Sequence, residues 1–134
     1  MNRAHLTDAL RSLTISRGYA FTTSPEASMP GLAASYPAAW LSPLKLNSVL
    51  GRRHGRITYS VKLHLLHQAM RLPPDRRSEL CDKAERDLLG IFSDLSLDAR
   101  VALVDNLRIA VGEFSLTPHG ELSATAEAEV VTIF

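Results

Sequence analysis

The sequence predicts an α+β fold, a mainly antiparallel sheet of four to five strands with two principal helices packed on it. Three observations carry that expectation. Two segments place apolar residues at helical spacing, several runs alternate apolar and polar residues with period two, and turn chemistry separates those runs. Hairpins in series, with two helices able to cover one face, make an α+β layer rather than a chain of βαβ units. A length of 134 residues fits one domain, so 1–134 is taken as a single unit with one core.

The opening segment, Asn2 to Arg17, sets Leu6, Ala9, Leu10 and Leu13 at helical spacing, with Asn2 as a cap and Gly18 as a stop. Tyr19 to Thr23 gathers aromatic and β-branched residues before Pro25 and reads as a short strand. From Pro25 to Pro37, prolines, a glycine and small residues predict a long irregular loop, a length at which loops commonly carry a role. Ala38 to Leu50 reads as a strand interrupted at Pro43, which marks an edge or a bulge. Gly51 to Gly55 is a turn. Arg56 to Gln68 then gives the clearest strand, with Ile57, Tyr59, Val61, Leu63 and Leu65 on one face and Thr58, Ser60, Lys62 and His64 on the other. The two runs are expected to pair as a hairpin.

Pro73, Pro74 and Asp75 start the second helix, in which Leu80, Ala84, Leu88, Ile91, Phe92 and Leu95 form the apolar stripe. Leu97 to Val104 either extends that helix or leads out of it. Leu107, Ile109 and Val111 alternate into a strand that reaches Leu116. After the turn Thr117 to Gly120, the segment Glu121 to Phe134 alternates again, with Leu122, Ala124, Ala126, Ala128 and Val130 inward. These last two strands make a terminal hairpin.

Composition narrows the function classes. An apolar fraction of 46% and a charged fraction of 22% belong to a chain that folds. Fifteen basic against 14 acidic residues give a formal net charge of +1, too little for a whole-molecule field that would gather nucleic acid or anionic membrane. The single cysteine, Cys81, excludes an internal disulfide and a dithiol centre and fits a reducing compartment. No apolar run has the length of a membrane span, and the first residues lack the apolar core of a signal peptide, so a soluble chain without a membrane partner is expected.

No motif points to catalysis. His64 and His67 are three residues apart, and on a strand that offset sends the rings to opposite faces, so no metal site and no cofactor is expected. A solvent-facing His64 and a strand-end His67 are the plainer reading. Cys81 lies beside Leu80 on the apolar side of the second helix, where core packing is expected of it. Asp82, Glu85 and Asp87 read as a solvated face paired with Lys83 and Arg86. No phosphate loop, nucleophile elbow or dinucleotide fingerprint occurs, so the chain is read as a non-enzyme with no catalytic residues.

Two charged surfaces stand out as candidate interfaces. Arg52, Arg53, His54 and Arg56 cluster in and beside a turn that a hairpin tip would project outward, and Glu121, Glu127 and Glu129 share one face of the last strand. A basic turn alone on a nearly neutral chain makes nucleic-acid contact a weak expectation. Trp40, Tyr36 and Tyr59 offer aromatic contacts for a small ligand- or peptide-binding domain, against core packing for Trp40 and Tyr59.

The opening helix AHLTDALRSL, the segment YPAAWLSPLKL before the strand GRITYSVKLHLLH, the helix SELCDKAERDLLGIFSDL and the closing hairpin FSLTPHGELSATAEAEVVTIF follow one another in a telling order. In that order the chain resembles the tail-terminator and tail-completion (minor tail) proteins of long-tailed bacteriophages. The resemblance covers most of the chain and is one of element order. It implies a structural protein of virion assembly: a subunit that associates with copies of itself into a hexameric ring, caps the tail tube and contacts head-tail connector proteins. It also implies a place in the host cytoplasm during assembly and then in the virion tail. Such rings join different faces of neighbouring subunits, and the loop from Pro25 to Pro37, the basic tip and the acidic face are the expected contacts.

Overall fold

A computed structural model describes residues 2–23, 36–51, 55–69, 72–112 and 122–134. Its elements run α1 (Asn2–Ile15), β1 (Ala20–Thr23), β2 (Ala38–Leu41), β3 (Lys45–Leu50), β4 (Arg56–His67), α2 (Pro74–Leu95), β5 (Val101–Gly112) and β6 (Leu122–Ile133). The α+β class is as the sequence predicts. The sheet is six-stranded rather than four- to five-stranded, in the order β1-β2-β4-β6-β5 with β3 also paired to β4. Only the β1·β2 pair is parallel. The extra strand comes from Pro43. It has no N–H to give the ladder, so the run 38–50 breaks there and both halves line the same edge of β4, β2 against Leu63 to Leu66 and β3 against Arg56 to Ser60.

β4 and β6 form the spine of the sheet, pairing continuously from Arg56↔Ile133 to His67↔Leu122. Their inward residues, Tyr59, Val61, Leu63 and Leu65 with Ala124, Ala126, Ala128 and Val130, form the core with Leu6 and Leu10 of α1 and Ala84, Leu88, Ile91, Phe92 and Leu95 of α2. Three alanines in a row on β6 leave low relief, which suits the approach of α2 to that strand. Burying such aliphatic side chains stabilises by about 1.5–3 kcal/mol each before entropy is charged against them.

Helix boundaries follow local chemistry. α1 ends at Ile15, two residues before the expected Arg17, because the N–H of Gly18 turns back to Ile15 with the glycine at φ +90°. α2 begins with Pro74 in the first turn and Asp75 beside it, and closes where Ser96 bonds back to Phe92 and Ser93. The segment after α2 leads out of the helix, and β5 starts at Val101, six residues earlier than the alternation at Leu107 suggests. Two register shifts in β5, at Val101/Leu103 and Asp105/Arg108, break the period, and Asn106 takes φ +51° at the second.

Phe134 is tied to Gly55, just before β4. Gly55 and Phe134 exchange backbone hydrogen bonds, and a Cβ at position 55 would fall 2.2 Å from the Phe134 ring and 2.4 Å from the Leu50 carbonyl. Only glycine fits there. Among the described residues, no helix is long and apolar enough to cross a membrane.

Candidate functional site

The two helices lie on one face of the sheet. On the other face a groove of about 570 Å³ is lined by five strands, from Trp40 of β2 and Lys45 of β3 through Ser60, Lys62 and His64 to Glu127, Glu129, Asn106 and Arg108. Period two puts these residues there: Lys62 and His64 alternate with core residues on β4, and Glu127 and Glu129 do so on β6. Lys62, Glu127 and Arg108 are consecutive register partners on β4, β6 and β5. The acid therefore sits between two cations, 3.0 Å from Lys62 Nζ and 3.6 Å from Arg108. The Lys62 hydrogen bond and charge, with Arg108 behind them, hold the Glu127 carboxyl below its ordinary range.

His64 forms one wall of the groove and is buried. Its ring stacks on the facing indole of Trp40, centroids 4.8 Å apart and planes 14° from parallel. Its nitrogens reach Thr125 Oγ1 at 2.8 Å and Ser42 Oγ at 3.3 Å. Burial, reinforced by the Lys62 charge and only partly opposed by Glu127, pushes its pKa down to about 4. The ring is neutral at physiological pH. A hydroxyl stands at Nδ1, where a nucleophilic triad has its orienting carboxylate. The solvent-facing His64 expected from strand alternation is therefore corrected: the polar face of β4 is covered at this point, and its cross-strand neighbour is a tryptophan.

On the helix face, three buried groups join the end of α1, the end of β4 and α2. The Tyr19 hydroxyl donates to Asp87 Oδ2 at 2.6 Å and lies 2.8 Å from His67 Nε2, which is thereby the donor to the tyrosine oxygen. Lys83 reaches Asp87 at 2.8 Å, and Arg17 spans Asp87 and Asp94 at 3.6 and 3.5 Å, lying over Gly90. Burial works to raise the Asp87 pKa, but the bonds from Lys83 and Tyr19 and the charges of Lys83 and Arg17 outweigh it and hold the carboxyl low. Burial and the Asp87 bond raise the Tyr19 pKa, and burial with Lys83 lowers that of His67. Asp87 is thus a buried anchor and not part of a solvated face. Its i,i+4 pair with Lys83 is as expected.

His64 and His67 do point to opposite faces. Among the described residues, no group of three or more His, Cys, Asp and Glu side chains converges. Cys81 is half-buried and outside the core cluster, contrary to its expected core packing.

Of the candidate interface residues, Arg56, Glu127 and Glu129 are described, whereas Arg52, Arg53, His54 and Glu121 lie outside the described residues, as do residues 25–35 of the expected loop. Arg56 is exposed at the start of β4 between Leu50 and Ile133. It stands four residues along the strand from Ser60, the partner of Glu129, and so apart from the acidic pair. Tyr59 faces the core, as expected, under the Arg3 guanidinium at 5.3 Å, and Trp40 is buried in the groove wall. Beside Arg56, all six residues of β3 are exposed, among them Leu46, Val49 and Leu50 at 54%, 51% and 68%.

Sequence reasoning missed the Trp40–His64 stack and the Tyr19–His67–Asp87 cluster. Position 40 pairs with 64 only once the interrupted strand is registered against β4, and no local signal links residues 19, 67 and 87. No protein-family model and no curated protein sequence matches the chain.

Proposed function

We propose that this protein is a structural assembly subunit that associates with copies of itself, in the form of a ring closing the end of a phage-like tail tube and meeting head-tail connector proteins. The observation that supports this reading is β3. All six of its residues are exposed, half of them large aliphatics, and among the described residues it pairs along one edge only; proteins that remain monomeric usually blunt such strands with charge, proline or a covering element. Lys45 is its single charge. The element order of tail-terminator proteins supplies the specific form of the assembly.

A second reading, a small ligand-binding domain, has the groove beside Trp40 and His64 behind it. Absolute mass by light scattering, over a wide range of protein and salt concentration, separates the two. The assembly reading expects one discrete oligomer with a central opening in electron micrographs. A monomer at every concentration overturns it and leaves the groove as the functional feature.

A further inference from the structure

β5 ends the sheet on the side away from β1, and among the described residues nothing pairs with its outer edge. The register tells which backbone groups that edge presents. Gly55 and Phe134 exchange both backbone hydrogen bonds, so every second residue of β6 counted back from Phe134, Val130 and Ala126 among them, turns its N–H and C=O toward β4. The residues between, Val131, Glu129, Glu127 and Thr125, turn theirs toward β5 and meet Leu103, Asp105, Arg108 and Ala110. Val104 and Ile109, opposite Val130 and Ala126, therefore present N–H and C=O outward. Both are half-buried aliphatics at the margin of the core.

Bulges and charges commonly blunt a free edge. On β5 both are complementary to themselves. Asp105 and Arg108 flank the second register shift, with Asn106 and Leu107 between them. Turned about a two-fold axis beside Asn106 and Leu107, a second β5 lies antiparallel to the first, with Leu103 opposite Ala110, Val104 opposite Ile109 and Asp105 opposite Arg108. Two residues then separate the flanking pairs on each strand, so the bulges fall opposite each other and the ladder keeps its count. Val104 and Ile109 meet with outward backbone groups facing outward backbone groups. Asp105 and Arg108 meet as a non-hydrogen-bonded pair, the kind in which side chains stand closest. Asp105 faces the like charge of Glu129 in its own chain and has no ion-pair partner among the described residues. Arg108 is 78% exposed and reaches Glu127 only at 3.6 Å, so its guanidinium is open to a second carboxylate.

We infer that two copies of the chain pair through their β5 edges, antiparallel, with Asp105 of each opposite Arg108 of the other. This goes beyond the assembly reading: the contact is isologous, stops at two copies and leaves β3 uncovered. It gives each Asp105 the cation its own chain lacks, twice per pair, and extends the margin of the core through Val104 and Ile109 of both copies.

Cross-linking tests the register. Leu103 and Ala110 are seven residues apart on one strand, about 20 Å, too far for a disulfide within a chain or between two copies that carry the same single cysteine. In a Cys81→Ser background, Leu103→Cys and Ala110→Cys should each run as single chains on a non-reducing gel after mild oxidation, and their mixture should give a covalent dimer. Ser48→Cys on β3 in place of Leu103→Cys should abolish it. As an independent measure, Asp105→Arg relieves the repulsion with Glu129 inside the chain but sets arginines face to face twice in the pair, and should raise the dissociation constant roughly tenfold or more. Arg108→Asp should weaken the pair likewise. An equimolar mixture of these two variants should recover the parent affinity, because both rows of the mixed pair again join opposite charges. No covalent dimer from the mixed cysteines, or no recovery from the mixed charge variants, overturns the pairing; a parent larger than a dimer then leaves assembly through β3 standing. A parent that stays at two copies at every concentration supports the pair and overturns the ring, and a monomeric parent overturns both.

Discussion

From Val61 to His67, β4 is buried at every position but Lys62, whereas from Arg56 to Thr58 the same strand is exposed or half-exposed. Pairing does not account for the difference, because β6 accompanies β4 along both halves and β2 and β3 divide its other edge between them. What changes is the layer above and below. One half lies beneath α1 and α2 on the core face and carries the Trp40–His64 stack on the other; at the other half α1 reaches the sheet by its first residue, Asn2 bonding Thr132 and the Ile133 carbonyl, and β3 beside it is exposed throughout. Continuous hydrogen bonding thus makes one sheet, but side-chain burial divides it into a half that holds the fold and a half whose outer strand lies exposed.

The covered half can be broken by a single truncation. Leu63 is 0% exposed in the middle of the core, so Leu63→Ala leaves a cavity that neighbouring residues only partly refill. The expected loss is about 2–5 kcal/mol of unfolding free energy, read from the urea midpoint with the slope unchanged. A loss below about 1 kcal/mol would mean that the site collapses freely and that the two halves differ less than their burial says.

A smaller effect, confined to acid, distinguishes the covered polar face from an open one. The folded-state pKa of His64 lies near 4, below its ordinary 6.5, so the unfolded chain takes up a proton first as pH falls. Stability is therefore full above about pH 6.5 and declines down to about pH 4, by a total on the order of 3 kcal/mol from this ring. His67, also lowered, contributes in the same direction. His64→Gln should flatten the decline in a series of urea midpoints, and the ring of the parent should titrate near 4 by NMR. A midpoint near 6.5 would place His64 in solvent, as alternation alone suggested.

Much of the covered half was legible because its signals are local. The period-two runs at 56–68 and 121–134 and the apolar stripe of α2 assign three elements and their inward faces without any knowledge of partners. What escaped depends on distant pairs. Asp87 sits in a helix segment of alternating charges, which resembles a solvated face until Tyr19, 68 residues away in sequence, is brought against it. β5 was found late because two bulges disrupt its period near the start. The bare half was legible only as an interrupted strand over 38–50: three aliphatic residues, Leu46, Val49 and Leu50, carry no local mark of being exposed, and their exposure emerges only with the strand in place beside β4.

The smallest expected change in stability falls in that bare half and sharpens the comparison most. Leu50 is as aliphatic as Leu63 and stands in a paired strand, yet it is 68% exposed, so little apolar surface leaves water when the single chain folds. Leu50→Ser should shift the unfolding free energy of the monomer by no more than about 0.5 kcal/mol, against several for the core leucine. Under the assembly reading the same substitution should still weaken the oligomer, because its side chain is buried by a neighbouring copy and not by its own helices. Light scattering and urea unfolding on one preparation, diluted until the monomer dominates for the second measurement, separate the two effects. A stability loss comparable to that of Leu63→Ala would show that the bare half is part of the folding core after all. An unchanged oligomer would remove Leu50 from the contact.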